Sequence, residues 1–234
     1  MVTPPLFRER TARVAVTRAL LAWGVVSGPF YLTVGLVQAL TREGFDISRH
    51  ALSLLMLGEH GWVQTANLGA TGLMVLLTAT GFARASGRRG VTLALGVFGV
   101  SLVVSSAFAP DPMLGFPPGS PASSAPTTSG MVHLASGGAG FVALALAAFA
   151  AARWFSQMGA ARVARLSRFA SVVIGATFFA GASLATRPVG VGLIWVAVVA
   201  GFGWLAAGSW TALHLASIAD RTAPRGSRES RPTI

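Results

Sequence analysis

The chain contains no cysteine, which excludes disulfides, thiolate metal sites and cysteine nucleophiles. It contains no lysine either, so a Schiff-base lysine of the retinal-binding kind is excluded. Charge is scarce: 11% of the 234 residues are charged, where a soluble domain carries about 25%. Apolar residues make up 53% of the chain, and the mean hydropathy is +0.65. A lysine-free chain rich in Ala, Gly, Val and Arg points to high-GC coding and a prokaryotic source.

What is present is six long apolar stretches, near Thr17–Leu40, Val63–Ala83, Val91–Ala109, Met131–Ala152, Phe169–Thr186 and Val189–Ser217. Each is about as long as the roughly 20 residues a helix needs to cross hydrocarbon. None has an acid or a base in its middle. The eighteen basic residues, all arginine, lie outside the stretches or at their edges, and against seven acids they give the net charge of +11. Arg8, Arg10, Arg13 and Arg18 stand before or at the start of the first, and Arg84, Arg88 and Arg89 separate the second from the third. Arg153, Arg162, Arg165 and Arg168 separate the fourth from the fifth, and Arg221, Arg225, Arg228 and Arg231 follow the sixth. Fifteen arginines thus fall on one side of a membrane, against Arg42, Arg49 and Arg187 on the other. Basic loops stay in the cytoplasm, so both termini are expected inside.

The expected fold is an all-α integral membrane protein, a six-transmembrane-helix bundle with N-in/C-in topology in the plasma membrane. Residues 1–16 form a basic cytoplasmic N-terminus, 17–217 the helical domain, and 218–234 a basic, disordered cytoplasmic tail. The arginines meet anionic headgroups, so membrane lipids are the expected partners and nucleic acid is not. The first apolar run is too long for a signal-peptide core and no small-x-small site follows it, so the first helix is expected to remain. Pro29 is expected to kink it. The tight turn at Arg187-Pro188 forces the last two helices into a hairpin.

Two outer loops, 41–62 and 110–130, are long for a compact domain, and such loops are often functional. The first reads as a short interfacial helix capped by Ser48 and ended by Gly58, with Arg49, His50 and Ser53 on its polar side. The second is rich in Pro, Gly, Ser and Thr. Small and mildly polar residues mark the helix faces: Gly24, Gly28, Tyr31, Gly35 and Gln38, then Gln64, Asn67, Thr71 and Thr78, then Ser101 and Ser105, then His133, Ser136, Gly137 and Gly140. Such faces allow close helix packing and hydrogen bonding across helices.

Chemistry-capable side chains gather at the outer boundary. A hydrolase acting on a lipid would take Ser53 as nucleophile, His50 or His133 as base and Asp111 as orienter. Zinc would take His50, His60, His133 and Asp111. Arg49, Gln64 and Asn67 are candidates for holding a ligand. No G-x-S-x-G elbow and no H-x-x-x-H or H-x-x-E-H pair is present, and the candidates come from separate segments. Each also has a bland reading: histidines as interfacial anchors, Asp111-Pro112 as a turn, Trp62 as a headgroup anchor. Ion-coupled transport, a third function, generally needs intramembrane acids that these helices lack.

The segment around His50, Ser53, Gly61 and Trp62, the Phe108–Pro112 stretch (FAPDP) and the Gly130–His133 start of the fourth helix resemble the family called domain of unknown function 998. The resemblance covers roughly Ala19 to Ala216. It implies a prokaryotic multi-pass membrane protein without an assigned reaction, and it marks Ser53, Asp111 and His133 as positions of interest. The function read from the sequence is an outward-facing polar pocket for a lipid headgroup or small ligand. Asp111 and His133 are expected to face one another there, with His50 or Ser53 completing the cluster.

Overall fold

Each apolar stretch becomes one helix, because in hydrocarbon a chain must satisfy its own backbone hydrogen bonds. The computed structural model describes residues 5–122 and 125–222, and side chains between 12 and 218. The helices are α1 (Pro5–Thr41), α2 (Gly61–Ser86), α3 (Arg89–Ala107), α4 (Thr128–Gln157), α5 (Ala161–Ser183) and α6 (Pro188–Thr222). All six are long and apolar enough to cross a membrane, and no strand occurs among the described residues. The protein is a multi-pass membrane protein.

The helices run up and down in chain order. Each packs on its sequence neighbours, and α6 returns to α1, closing a ring. All three odd-to-even connections therefore share one end of the bundle, called here the loop end. The other end carries the start of α1, the end of α6 and two short turns, and most of the described arginines cluster there. Helix α1 runs without interruption through Pro29. Helix α5 starts well before Phe169, so Arg162, Arg165 and Arg168 lie on its opening turns and not in a loop. Long arginine stems can lie along a helix and still place the guanidinium at the interface. Helix α6 continues past Ser217, and the expected basic tail lies outside the described residues from 223 onward.

Small residues set the helix spacing. A Cβ on Gly72 would stand 2.8 Å from the Gly99 carbonyl, and one on Gly99 would stand 3.0 Å from the Gly72 carbonyl. The α2–α3 crossing thus brings backbone onto backbone, as small residues permit in membranes. Between α1 and α2 the contact is polar. Gln38 and Asn67 donate from their side-chain amides to Gln64 Oε1 at 2.9 and 3.1 Å, and Asn67 also donates to the Tyr31 carbonyl at 3.1 Å.

The short helix expected after Ser48 has a different form. A 3-10 turn spans Leu52–Met56, with Ala51 at its N-cap and no side-chain cap. Ser48 bonds Asp46 instead, through both its backbone N–H (2.9 Å) and its hydroxyl (2.7 Å). Leu52, Leu54, Leu55 and Met56 are buried, packed on α1 and α2. The segment is therefore a plug tucked into the loop end, because its apolar residues find helix surface closer than lipid. Gly58, at φ +76°, follows it in a conformation that favours glycine.

Candidate functional site

The two long loops fold over the loop end and interlock. Asp46 organises the first. Its carboxylate accepts the two Ser48 bonds, which hold it below the ordinary carboxylate value. The backbone N–H of Asp46 donates to His50 Nδ1 at 2.9 Å. Because Nδ1 accepts, the proton of a neutral His50 sits on Nε2, which points at the Leu114 carbonyl of the second loop at 3.4 Å. The imidazole is 3% exposed and lies 5.3 Å from the Phe45 ring and 5.4 Å from Phe116. His50 is a clasp between loops, with both nitrogens occupied. Trp195 on α6 fastens the first loop from the other side, donating from Nε1 to the Ile47 carbonyl at 3.2 Å.

The second loop is clipped at its base. Asp111 accepts from the Thr127 hydroxyl (2.6 Å) and the Thr127 N–H (3.1 Å) at the start of α4. Thr127 in turn caps α4 by accepting from the Gly130 N–H at 3.0 Å. A Cβ on Gly130 would overlap the Asp111 carboxylate. One turn further, His133 Nδ1 lies 3.0 Å from the Ser105 carbonyl in the last turn of α3 and 2.8 Å from the carbonyl of Phe108, its C-cap. Those carbonyls have no partner within α3 because the helix ends there.

Beneath these loops lies a cavity of about 330 Å³. Arg49, Ser53, Ser105, Asp111 and His133 line its loop end. Deeper in, the walls are apolar: Leu68, Phe98, Leu102, Phe141, Phe178 and Phe202. Leu134 also lines it while 68% exposed, so the cavity reaches the outside of the bundle between α4 and α5. Gly137 faces open space there, and Phe141 stacks on Phe178 at 4.4 Å.

The expected constellation is therefore divided. Arg49, Ser53, Asp111 and His133 share the cavity, whereas His50 turns away into the aromatic clasp. Asp111 and His133 are not bonded to each other; each serves the opposite helix. Gln64 and Asn67 are buried in the α1–α2 contact and absent from the cavity wall. His60 is exposed at the N-cap of α2. Among the described residues, no three His, Asp or Glu side chains come together in a way that could hold a metal ion. The sequence reading missed the apolar wall, including Phe141, Phe178 and Trp195. Aromatic residues inside spans read as ordinary packing, and only the gap between α4 and α5 distinguishes them.

The model of a protein family of unknown function, DUF998, matches residues 25–211. The chain belongs to the DUF998 family. The matched region takes in α2 to α5 whole, the loop-end parts of α1 and α6, both long loops and every cavity-lining residue named above. No curated protein and no solved structure matches the chain.

Proposed function

We propose that this protein binds an amphipathic, lipid-like molecule, with its chain between α4, α5 and α6 and its head against Arg49, Ser53 and His133. In this reading the protein sits in the plasma membrane, with both termini in the cytoplasm and the loop end outside. The carrying observation is the polarity gradient of the cavity, polar where the loops cover it and apolar below, combined with its opening between α4 and α5. A ligand from the bilayer gains little by moving its chain from lipid into an apolar cavity, since lipid tails are as apolar as leucine. Selection must therefore come from the head. A hydrogen bond to a charged group such as Arg49 contributes about 1.5–3 kcal/mol.

Gly137→Leu tests this directly, because Gly137 lines the cavity and a Cβ there would have no atom within 4 Å. Native mass spectrometry of protein extracted gently from membranes should show a co-purifying single-chain lipid in the parent and none in the variant, at equal thermal stability. Equal lipid content in both would count against the cavity as a binding site.

A second reading, hydrolysis of a lipid ester, is favoured by Ser53 and His133 lining one cavity. His133 would be the base, since both ring nitrogens of His50 are engaged. Release of fatty acid from a monoacyl ester by the parent, abolished in Ser53→Ala, would support it. Loss of lipid binding without any turnover would leave only the binding reading.

A further inference from the structure

We infer that the head of the bound molecule carries a hydrogen-bond donor, a hydroxyl, that is received by Nε2 of His133. The inference rests on the cavity reading above and narrows it to a ligand class: a single-chain lipid with a hydroxylated head, of the monoacylglycerol or long-chain alcohol type.

The tautomer follows from the partners of Nδ1. Both groups within reach of it, the Ser105 and Phe108 carbonyls, are acceptors with no hydrogen to offer. Nδ1 must therefore carry the proton. In a neutral imidazole the other nitrogen is then a bare acceptor. A hydrogen bond made by one ring nitrogen sets the role of the other in this way. Nε2 of His133 has no partner among the described residues, and the side chain lines the cavity. The loop end of the cavity thus carries the His133 acceptor and the Asp111 carboxylate beside two donor-bearing residues, Arg49 and Ser53.

A hydroxyl suits that set because it both donates and accepts. The ester oxygens of a fully acylated lipid can only accept, so they leave Nε2 unmet. The Asp111 carboxylate is held toward Thr127, which donates to each of its two oxygens. Size points the same way. At about 330 Å³ the cavity lies at the small end of ligand sites, which span about 300–1,000 Å³. One chain fits that space better than two. An analogue without the hydroxyl offers this acceptor no donor, so the hydroxylated ligand is preferred.

Substitution at position 133 can separate the two nitrogens. Asparagine places an amide N–H near the Nδ1 position and has nothing at Nε2, so His133→Asn keeps the link to α3 and removes the cavity acceptor. Glutamine reaches the Nε2 position and abandons the link. The experiment measures binding of two probes by native mass spectrometry of the full chain: 1-monododecanoylglycerol and its di-O-methyl ether. The parent should prefer the hydroxylated probe by about tenfold or more. His133→Asn should lose that preference with little change in melting temperature, whereas His133→Gln should melt earlier.

If the parent binds both probes equally and Gly137→Leu abolishes both, the cavity reading stands and the donor inference is overturned. If the parent binds neither, both are overturned. Should His133→Asn fail to fold, the comparison of the two probes on the parent decides by itself.

Discussion

Asp111 and His133 each terminate the helix the other belongs with: Asp111, just beyond α3, engages Thr127 at the start of α4, while His133, on α4, engages the last carbonyls of α3. An anion at a helix N-terminus and a donor at a helix C-terminus both complement the macrodipole. The pair fixes the α3–α4 hairpin at the level where the cavity begins. Asp111→Ala should therefore destabilise the protein by about 1–2 kcal/mol, the usual loss for a cap-type hydrogen bond. Thermal unfolding in detergent or nanodiscs checks this, and an unchanged melting temperature would remove the clip from the account.

Gly130 is coupled to the same carboxylate. Gly130→Ala should force Asp111 away from Thr127, because the new Cβ overlaps it. The two substitutions are then not additive, as expected of residues in contact. In an Asp111→Ala background, Gly130→Ala should cost clearly less than in the parent. Equal costs in both backgrounds would show that the overlap is relieved elsewhere.

The clasp at His50 sets a second expectation. His50→Ala removes a buried ring packed between Phe45 and Phe116 together with both of its loop contacts. The loss should be about 2–4 kcal/mol, in the range for emptying an aromatic-sized site and breaking its hydrogen bonds. His50→Asn, which keeps an acceptor near Nδ1, should recover part of it. Limited proteolysis of the loop between 42 and 60 should speed up in the order parent, Asn, Ala. Protection of that loop in the Ala variant would mean the clasp is dispensable.

Gln64 tests the bundle interior. It is fully buried and accepts from both Gln38 and Asn67, while Gln38 Oε1 and Asn67 Oδ1 have no hydrogen-bond partner among the described residues. Gln64→Leu should leave the two amide donors less satisfied and cost about 1–3 kcal/mol. It should not alter lipid content, because Gln64 does not line the cavity. A lipid-free Gln64→Leu protein that still folds would tie this cluster to the site.

Orientation is open to a clean chemical test because the chain has no native cysteine. Ala122→Cys at the loop end should react with an impermeant maleimide on intact cells. Ser156→Cys, exposed at the arginine-rich end, should react only after permeabilisation. The reverse pattern would place the termini outside.

The number of helices, their order and the hairpin at Pro188 were legible in the sequence because each depends on local quantities, namely the hydropathy of about twenty residues and the position of a proline. The gathering of Ser53, Asp111 and His133 at one end was legible for the same reason. Ser53 sits in one outer loop, and Asp111 and His133 sit at the two ends of the other, and an up-and-down bundle brings alternate connections together. The role of His50 was not legible. Its ring lies beside Asp46, four residues before it, and points at Leu114 in another loop, so its direction depends on how two irregular segments meet. No periodicity encodes that meeting. The cavity was likewise invisible in one dimension. A gap between helices is a property of three or four neighbouring surfaces together, and Gly137 reads the same in a sequence whether a partner helix or empty space lies beyond it. Only the tertiary arrangement decided that Gly72 meets Gly99 and Gly137 meets nothing. It also decided that Asp111 and His133, expected to pair, are each drawn to unsatisfied groups of the opposite helix terminus.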